Sequence, residues 1–360
     1  MNDAYSLSHK EGWRRWVDSP GRPRPERLTV RQLGNLSLAA REDYDEARGY
    51  WHSNFGTLET PQLKAIHDDL DLIVSSNRHD PDRVRGAAVI DALAGLGKTT
   101  ITRAFIRDFD RRQRRRFGDT VGDHEHLPVF NIGLSSQTTL RSLNHKICEF
   151  YGRPGIERAN AARLADFAVD CVNSCGTRIG FIDDLHFINM RHKSGVEVAN
   201  HLKWLANELA ITFIFAGIGL EKRGFFSECF EKEDLEMAQT GRRWTRLALP
   251  PFTVASESWK QAWYLLLRAT ERNLVLADAH NGMLTDISDY LFARSTGHIG
   301  SLFTLVERGC RQAIKTGKER IDIDLLDTFR IDQAAENERR NLQASFDKGT
   351  LSTRITRPDS

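Results

Sequence analysis

Between residues 84 and 250, short apolar runs alternate with stretches of helical period. The runs Ala87–Leu93, Leu127–Ile132, Arg178–Ile182, Ile211–Ala216 and Trp244–Leu249 have the length of buried strands. Between them the pattern predicts helices near Lys98–Arg112, Thr138–Tyr151, Ala161–Ser174 and Val196–Leu209. Strands alternating with helices predict a parallel sheet covered on both faces. After Pro250-Pro251 only helical segments recur, at Glu257–Leu276, Met283–Arg294, Ile299–Thr316 and Asp322–Arg330. Upstream, a helical pattern runs from Leu38 to Asn77 and breaks at Thr60-Pro61. Thr60 suits an N-cap and Pro61 the first helical position, ahead of Leu63, Ile66, Leu70 and Ile73. Residues 1–35 carry turn and linker chemistry around Trp13 and Trp16, the pattern of an arm or partner-binding segment. The expected organisation is a partly flexible arm (1–35), an α/β core with N-terminal helices (36–252), a helical lid (253–335) and a flexible polar tail (336–360).

Composition narrows the class. The 360 residues include 40% hydrophobic and 28% charged side chains, which excludes collagen-like and wholly disordered chains. The longest apolar stretch, Ala210–Leu220, is too short to span a bilayer, and the N-terminus has no apolar signal region. Five cysteines, none in a CxxC pair, fit small buried hydrophobes in a reducing compartment; a soluble cytoplasmic protein is expected. Net charge is only +2, but 39 of the basic residues are Arg and 12 are Lys. Their densest run is Arg103, Arg107, Arg111, Arg112, Arg114, Arg115 and Arg116. Spacing puts Arg103, Arg107, Arg111 and Arg114 on one helical face, either a solvated surface or a phosphate-binding one.

The strongest chemical signal is Ala92-Leu93-Ala94-Gly95-Leu96-Gly97-Lys98-Thr99-Thr100, which follows an apolar strand and opens a helix. That is the context of a phosphate-binding loop, where successive backbone N–H groups and the helix N-terminus receive an anion. Lys98 would reach the β- and γ-phosphates of ATP and the Thr99 hydroxyl would hold Mg²⁺. The leading Gly of such a loop is Ala92 here. The partner motif is Arg178-Ile179-Gly180-Phe181-Ile182-Asp183-Asp184, a strand ending in two acids. Asp183 is expected on the Mg²⁺ side and Asp184 as the base for the attacking water. His186 follows as a candidate γ-phosphate sensor or a structural histidine.

Together these residues resemble an AAA+ ATPase, and the resemblance narrows to the TniB/TnsC group of transposition ATPases. It is carried by Arg41-Glu42-Asp43-Tyr44 through Arg48, Thr60-Pro61-Gln62-Leu63 and Gly97-Lys98-Thr99-Thr100. Asp183-Asp184-Leu185-His186, Phe215-Ala216-Gly217-Ile218-Gly219 and Ser295-Thr296-Gly297-His298-Ile299-Gly300-Ser301-Leu302 continue it. It spans about residues 36–330. The resemblance implies an ATP- and Mg²⁺-dependent oligomer, ring or filament, on double-stranded DNA without sequence preference. Such an oligomer would be nucleoid-associated, choose target sites and activate the transposase of the same element in DNA recombination. Gly95, Leu96, Gly97, Lys98, Thr99 and Thr100, with Thr60 and Pro61, would bind the nucleotide. In the resembled group duplex contacts come from loops near the second strand, which here implicates Ser136, Thr138 and Arg141. Arg242 and Arg243, immediately before the fifth strand, occupy the place of a trans-acting arginine finger, whose planar, permanent charge suits a phosphoryl group.

Three departures point to slow turnover. Asp184 stands where the group usually has Glu, Ile218 where a polar sensor is usual, and no arginine falls within Gly297-His298-Ile299-Gly300; Arg294 and Arg308 are the nearest substitutes. A slow ATPase switch is expected. The competing expectations are an AAA+ initiator or clamp-loader relative, and a signalling scaffold locked by ATP without DNA.

Overall fold

A computed structural model describes residues 5–80, 83, 85–136, 138–188, 193–223 and 244–355. By internal contacts the chain forms two compact units. The first comprises Met1–Pro20, Ala65–Ala94 and Lys98–Leu249; the second comprises Gly21–Lys64, Gly95–Gly97 and Pro250–Ser360.

The first unit is built on five parallel strands: β1 (Ala87–Ala92), β4 (Val129–Gly133), β5 (Ile179–Asp183), β6 (Thr212–Gly217) and β7 (Trp244–Leu249). Their spatial order is β4-β5-β6-β1-β7. Every expected strand is present, displaced by at most two residues at its ends. β1, β5 and β6 are buried along their whole length, as strands covered on both faces must be. A short hairpin, β2 (Thr120–Val121) with β3 (His124–Glu125), was not expected; two-residue strands carry no periodic signal. Crossover helices are α5 (Lys98–Phe117), α6 (Leu140–Phe150), α7 (Ala161–Ser174) and α8 (Lys193–Glu208).

The N-terminal residues differ from an arm. Helix α1 (Lys10–Asp18) seats a fully buried Trp13 on α5, and the Trp13 indole donates to buried Asp110 at 2.9 Å. The α5 arginine face is engaged by the same segment. Arg107 donates to the Ser19 carbonyl at 2.8 Å, and Arg111 to the Val17 carbonyl at 2.7 Å. Arg114 is bonded to Asp18, Asp110 and Asp119. Trp13, Trp16 and Val17 lie on one side of a helix otherwise rich in charge, and guanidinium forks satisfy its last carbonyls.

In the second unit, α3 (Leu38–His52) joins a helical core through a buried ion pair. Arg48, with no exposed surface, donates to both Glu319 oxygens at 2.6 and 2.7 Å. Thr60 is the N-cap of α4 (Pro61–Ser76), its hydroxyl accepting the Leu63 N–H at 3.1 Å. The main core lies among helices Glu257–Arg272, Ser288–Ser295 and Ile299–Thr316, around Trp263, Leu291 and Leu305. The stretch from Glu336, expected to fray, belongs to helix Gln333–Asp347. Ala335 and Phe346 supply its buried face, and the Asp332 side chain caps its first turn. Farther on, Thr353 is buried and donates its N–H to Asp289 at 2.7 Å. A sparse apolar stripe in a strongly charged helix is what composition conceals.

Candidate functional site

The strand-to-helix turn between β1 and α5 has the backbone of an anion loop. Gly95 and Gly97 take φ of +75° and +82°, conformations that a side chain would oppose. Ala92 is the last residue of β1, where extended backbone makes no demand for glycine, so the missing leading Gly costs nothing locally. Lys98 begins α5, so its first-turn N–H groups are available to an anion together with the lysine charge.

The second acid-bearing strand meets this loop. The Thr99 hydroxyl donates to Asp183 Oδ2 at 2.8 Å, and the Asp184 N–H donates to Asp183 Oδ1 at 2.9 Å. Asp183 is buried at the end of β5, while Asp184 is more open and left-handed, with φ +61°. Asp is among the few residues that adopt this conformation, and here it turns the second carboxylate away from the strand direction. His186 Nδ1 lies 3.9 Å from Asp184. Burial lowers the His186 pKa, with Lys98 and Arg223 adding to the effect against Asp184 and Asp183. A hydroxyl and a carboxylate converging beside a lysine fit a hard divalent cation that completes its shell with phosphate and water. Among the described residues no group of three His, Cys, Asp or Glu side chains forms a metal cage.

One carboxylate of this neighbourhood was not anticipated. Asp91, buried in β1, accepts the N–H groups of Leu220 and Glu221 at 2.8 and 3.1 Å and the Arg246 guanidinium at 3.2 Å. It thereby ties the turn after β6, which contains Ile218, to the strand that leads into Lys98. A lone acid inside the apolar run Ala-Ala-Val-Ile-Asp-Ala was the available signal. Arg223, close enough to act on His186, is a second cation in this region.

Other expected residues are distributed as follows. In the second unit, Gly297 has φ +71°, and a Cβ there would meet the Phe252 carbonyl oxygen at 2.2 Å. The Gly300 N–H donates to the Gly95 carbonyl at 2.8 Å. Close backbone approach thus accounts for both glycines of the Ser-Thr-Gly-x-Ile-Gly segment. Arg294 does not replace the missing lid arginine. It is buried, bonded to Tyr290 Oη, the Leu326 and Phe329 carbonyls, Asp327 and Glu336 at 2.8–3.3 Å. Arg308 donates to the Arg330 carbonyl at 2.6 Å. Arg242 and Arg243 lie outside the described residues. Ser136 is exposed; Thr138 closes a turn through its hydroxyl on the Ser135 carbonyl at 2.7 Å. Exposed Arg141 donates to the Glu157 and Ala159 carbonyls at 3.1 and 3.4 Å, which positions its charge without neutralising it. Thr60 and Pro61 are explained by the α4 N-terminus.

A five-stranded parallel sheet in this order, with a Gly-Lys-Thr loop after β1 and paired acids after β5, defines an AAA+ P-loop NTPase fold with a helical C-terminal region. Solved structures of the same fold include the Aeropyrum pernix ORC1 protein in complex with DNA. It has 14% identity and a TM-score of 0.56, over 85% of this chain and 72% of that one. The Aeropyrum pernix ORC2 protein in its ADPNP-ADP complexes has 13% identity and a TM-score of 0.53, over 76% and 69%. No curated protein matches the sequence. Residues 53–225, just under half of the chain, match the family described as bacterial TniB protein, and over that stretch the chain is similar to it.

Proposed function

We propose that this protein is an ATP-dependent switch in DNA transposition, which assembles on duplex DNA, selects target sites and activates the transposase of its own element. The observation that carries the reading is the convergence of Thr99 and Asp183 beside Lys98 at the start of α5. Lys98 and the α5 N-terminus would bind the β- and γ-phosphates, and Thr99 with Asp183 would hold Mg²⁺. Bound Mg²⁺ would neutralise phosphate charge as the terminal phosphoryl group departs. Asp184 would accept the proton of the attacking water. Its open, left-handed position and short side chain favour slow turnover, because a base one methylene short is poorly placed for an in-line water. Asp91 would hold the turn after β6 in register with the loop. Arg242 or Arg243 would complete a neighbour's site, and exposed Ser136 and Arg141 with half-buried Thr138 would contact the DNA backbone without reading bases.

Light scattering and electron microscopy of the purified protein with duplex DNA test this, with and without a non-hydrolysable ATP analogue. The reading expects ATP-dependent rings or filaments that weaken steeply with salt through counterion release. A protein that stays monomeric with ATP and DNA at low salt overturns it and favours a solitary nucleotide-locked scaffold.

A further inference from the structure

The carboxyl ends of the strands carry the phosphate loop; their amino ends frame a different feature of the first unit. A cleft of about 640 Å³ is lined there by Arg78 after α4, Arg85 before β1, Arg116 near the end of α5 and Arg178 before β5. His79 and His126 also line it, and no carboxylate does so among the described residues. Its arginine charges are not neutralised by neighbours. Arg85 donates only to the Asn77 and His79 carbonyls, at 3.2 and 3.3 Å. Arg116 stacks over Phe117 at 5.0 Å. Arg78 and Arg178 are exposed, and neither forms an ion pair among the described residues. Arg107, Arg111 and Arg114, in contrast, are all engaged by the N-terminal segment.

Helix ends account for only part of this charge. The C-termini of α4 and α5 each contribute roughly −0.5 elementary charge, about −1 together, against four guanidinium groups. The uncompensated remainder calls for an anion. The cleft also has apolar surface from Val74, Phe109 and the exposed Phe117 ring, and its size suits a small organic ligand. Planar guanidinium forks beside an aromatic face match phosphate joined to a base better than they match carboxylate alone. The geometry points to a second, non-catalytic site for nucleotide phosphate, carried either by a free nucleotide or by a nucleic-acid strand. It is separate from the Lys98 loop, at the other end of the same sheet.

The test uses the full chain carrying Lys98→Ala, so that the first site contributes little. Pyrophosphate binding is followed by calorimetry and binding of a short single-stranded oligonucleotide by fluorescence anisotropy, both at low salt. Replacing Arg116 and Arg178 together by Ser should weaken at least one probe about tenfold or more, the scale of charged hydrogen bonds. Because both side chains are exposed, the melting temperature should not change. Lysine at both positions should restore part of the affinity, since charge returns without the fork. Loss for pyrophosphate, alone or with the oligonucleotide, identifies free nucleotide phosphate; loss for the oligonucleotide alone identifies a strand. Equal affinity of the Ser variant and its parent for both probes, or no binding by the parent, overturns the proposal.

Discussion

Removing the Trp13 side chain should loosen the sheet unit, because α1 is part of its core. Trp13 has no exposed surface, and its indole donates to Asp110, which also receives Arg114 at 2.7 Å. A Trp side chain buries roughly 150–250 Å². At about 25 cal/mol per Å² this is roughly 4–6 kcal/mol as an upper bound. Core truncations of this size usually cost about 3–5 kcal/mol, the range expected for Trp13→Ala. Trp13→Phe keeps most of the area but loses the donor to a buried carboxylate, for about 1.5–3 kcal/mol. Burial already raises the Asp110 pKa, so losing a donor should raise it further. Hydrogen exchange with mass spectrometry on the full chain reads the opening of β1, β5 and α5 separately from the second unit. Protection there should fall in the order parent, Phe variant, Ala variant. An Ala variant within about 0.5 kcal/mol of the parent, the range of neutral surface changes, would refute the buried-anchor reasoning.

Arg48→Met should destabilise the second unit by up to about 3–5 kcal/mol, because buried Glu319 loses its bidentate partner and keeps only Arg41, at 3.1 Å; a thermal transition equal to the parent's would contradict this. His52 is buried with its pKa lowered to about 3, by burial first and then by Arg48 and Arg24, and its Nε2 accepts the Val275 N–H. Since the unfolded His protonates near 6.5, its contribution is complete above that pH and declines by about 1.4 kcal/mol per pH unit from 6.5 toward 3. Urea midpoints across this window should show a flatter acid limb for His52→Gln, and parallel limbs would falsify the assignment. Asp184→Asn should retain ATP binding and lose hydrolysis, measured by phosphate release; an equally active variant would place the base elsewhere.

The parallel sheet was legible because strands buried on both faces read as apolar runs, and the phosphate loop because Gly-Lys-Thr followed the first of them. The Thr99–Asp183 meeting was implied by the same logic. Long-range partnerships were not legible. Trp13 and Trp16 sit among turn residues, and nothing local reveals that Trp13 reaches Asp110, 97 positions away. The Arg107, Arg111 and Arg114 stripe was visible, but periodicity reports a shared face and not its occupant. Arg294 illustrates the same limit: proximity to the lid motif made it a candidate substitute for the lid arginine, whereas its guanidinium is engaged by five groups in the helical core. Asp91 went unnoticed because one acid in an apolar strand has no pattern of its own.

The most direct measurement of the central claim is equilibrium binding of a fluorescent ATP analogue to the parent, Lys98→Ala and Asp183→Asn chains, with and without Mg²⁺. The parent should bind more tightly with Mg²⁺. Asp183→Asn should lose much of that Mg²⁺ dependence. Lys98→Ala should lose at least about tenfold in affinity, the least that removing one charged hydrogen bond to phosphate implies. Unchanged affinity in Lys98→Ala, or the same Mg²⁺ response in Asp183→Asn as in the parent, would contradict the nucleotide site.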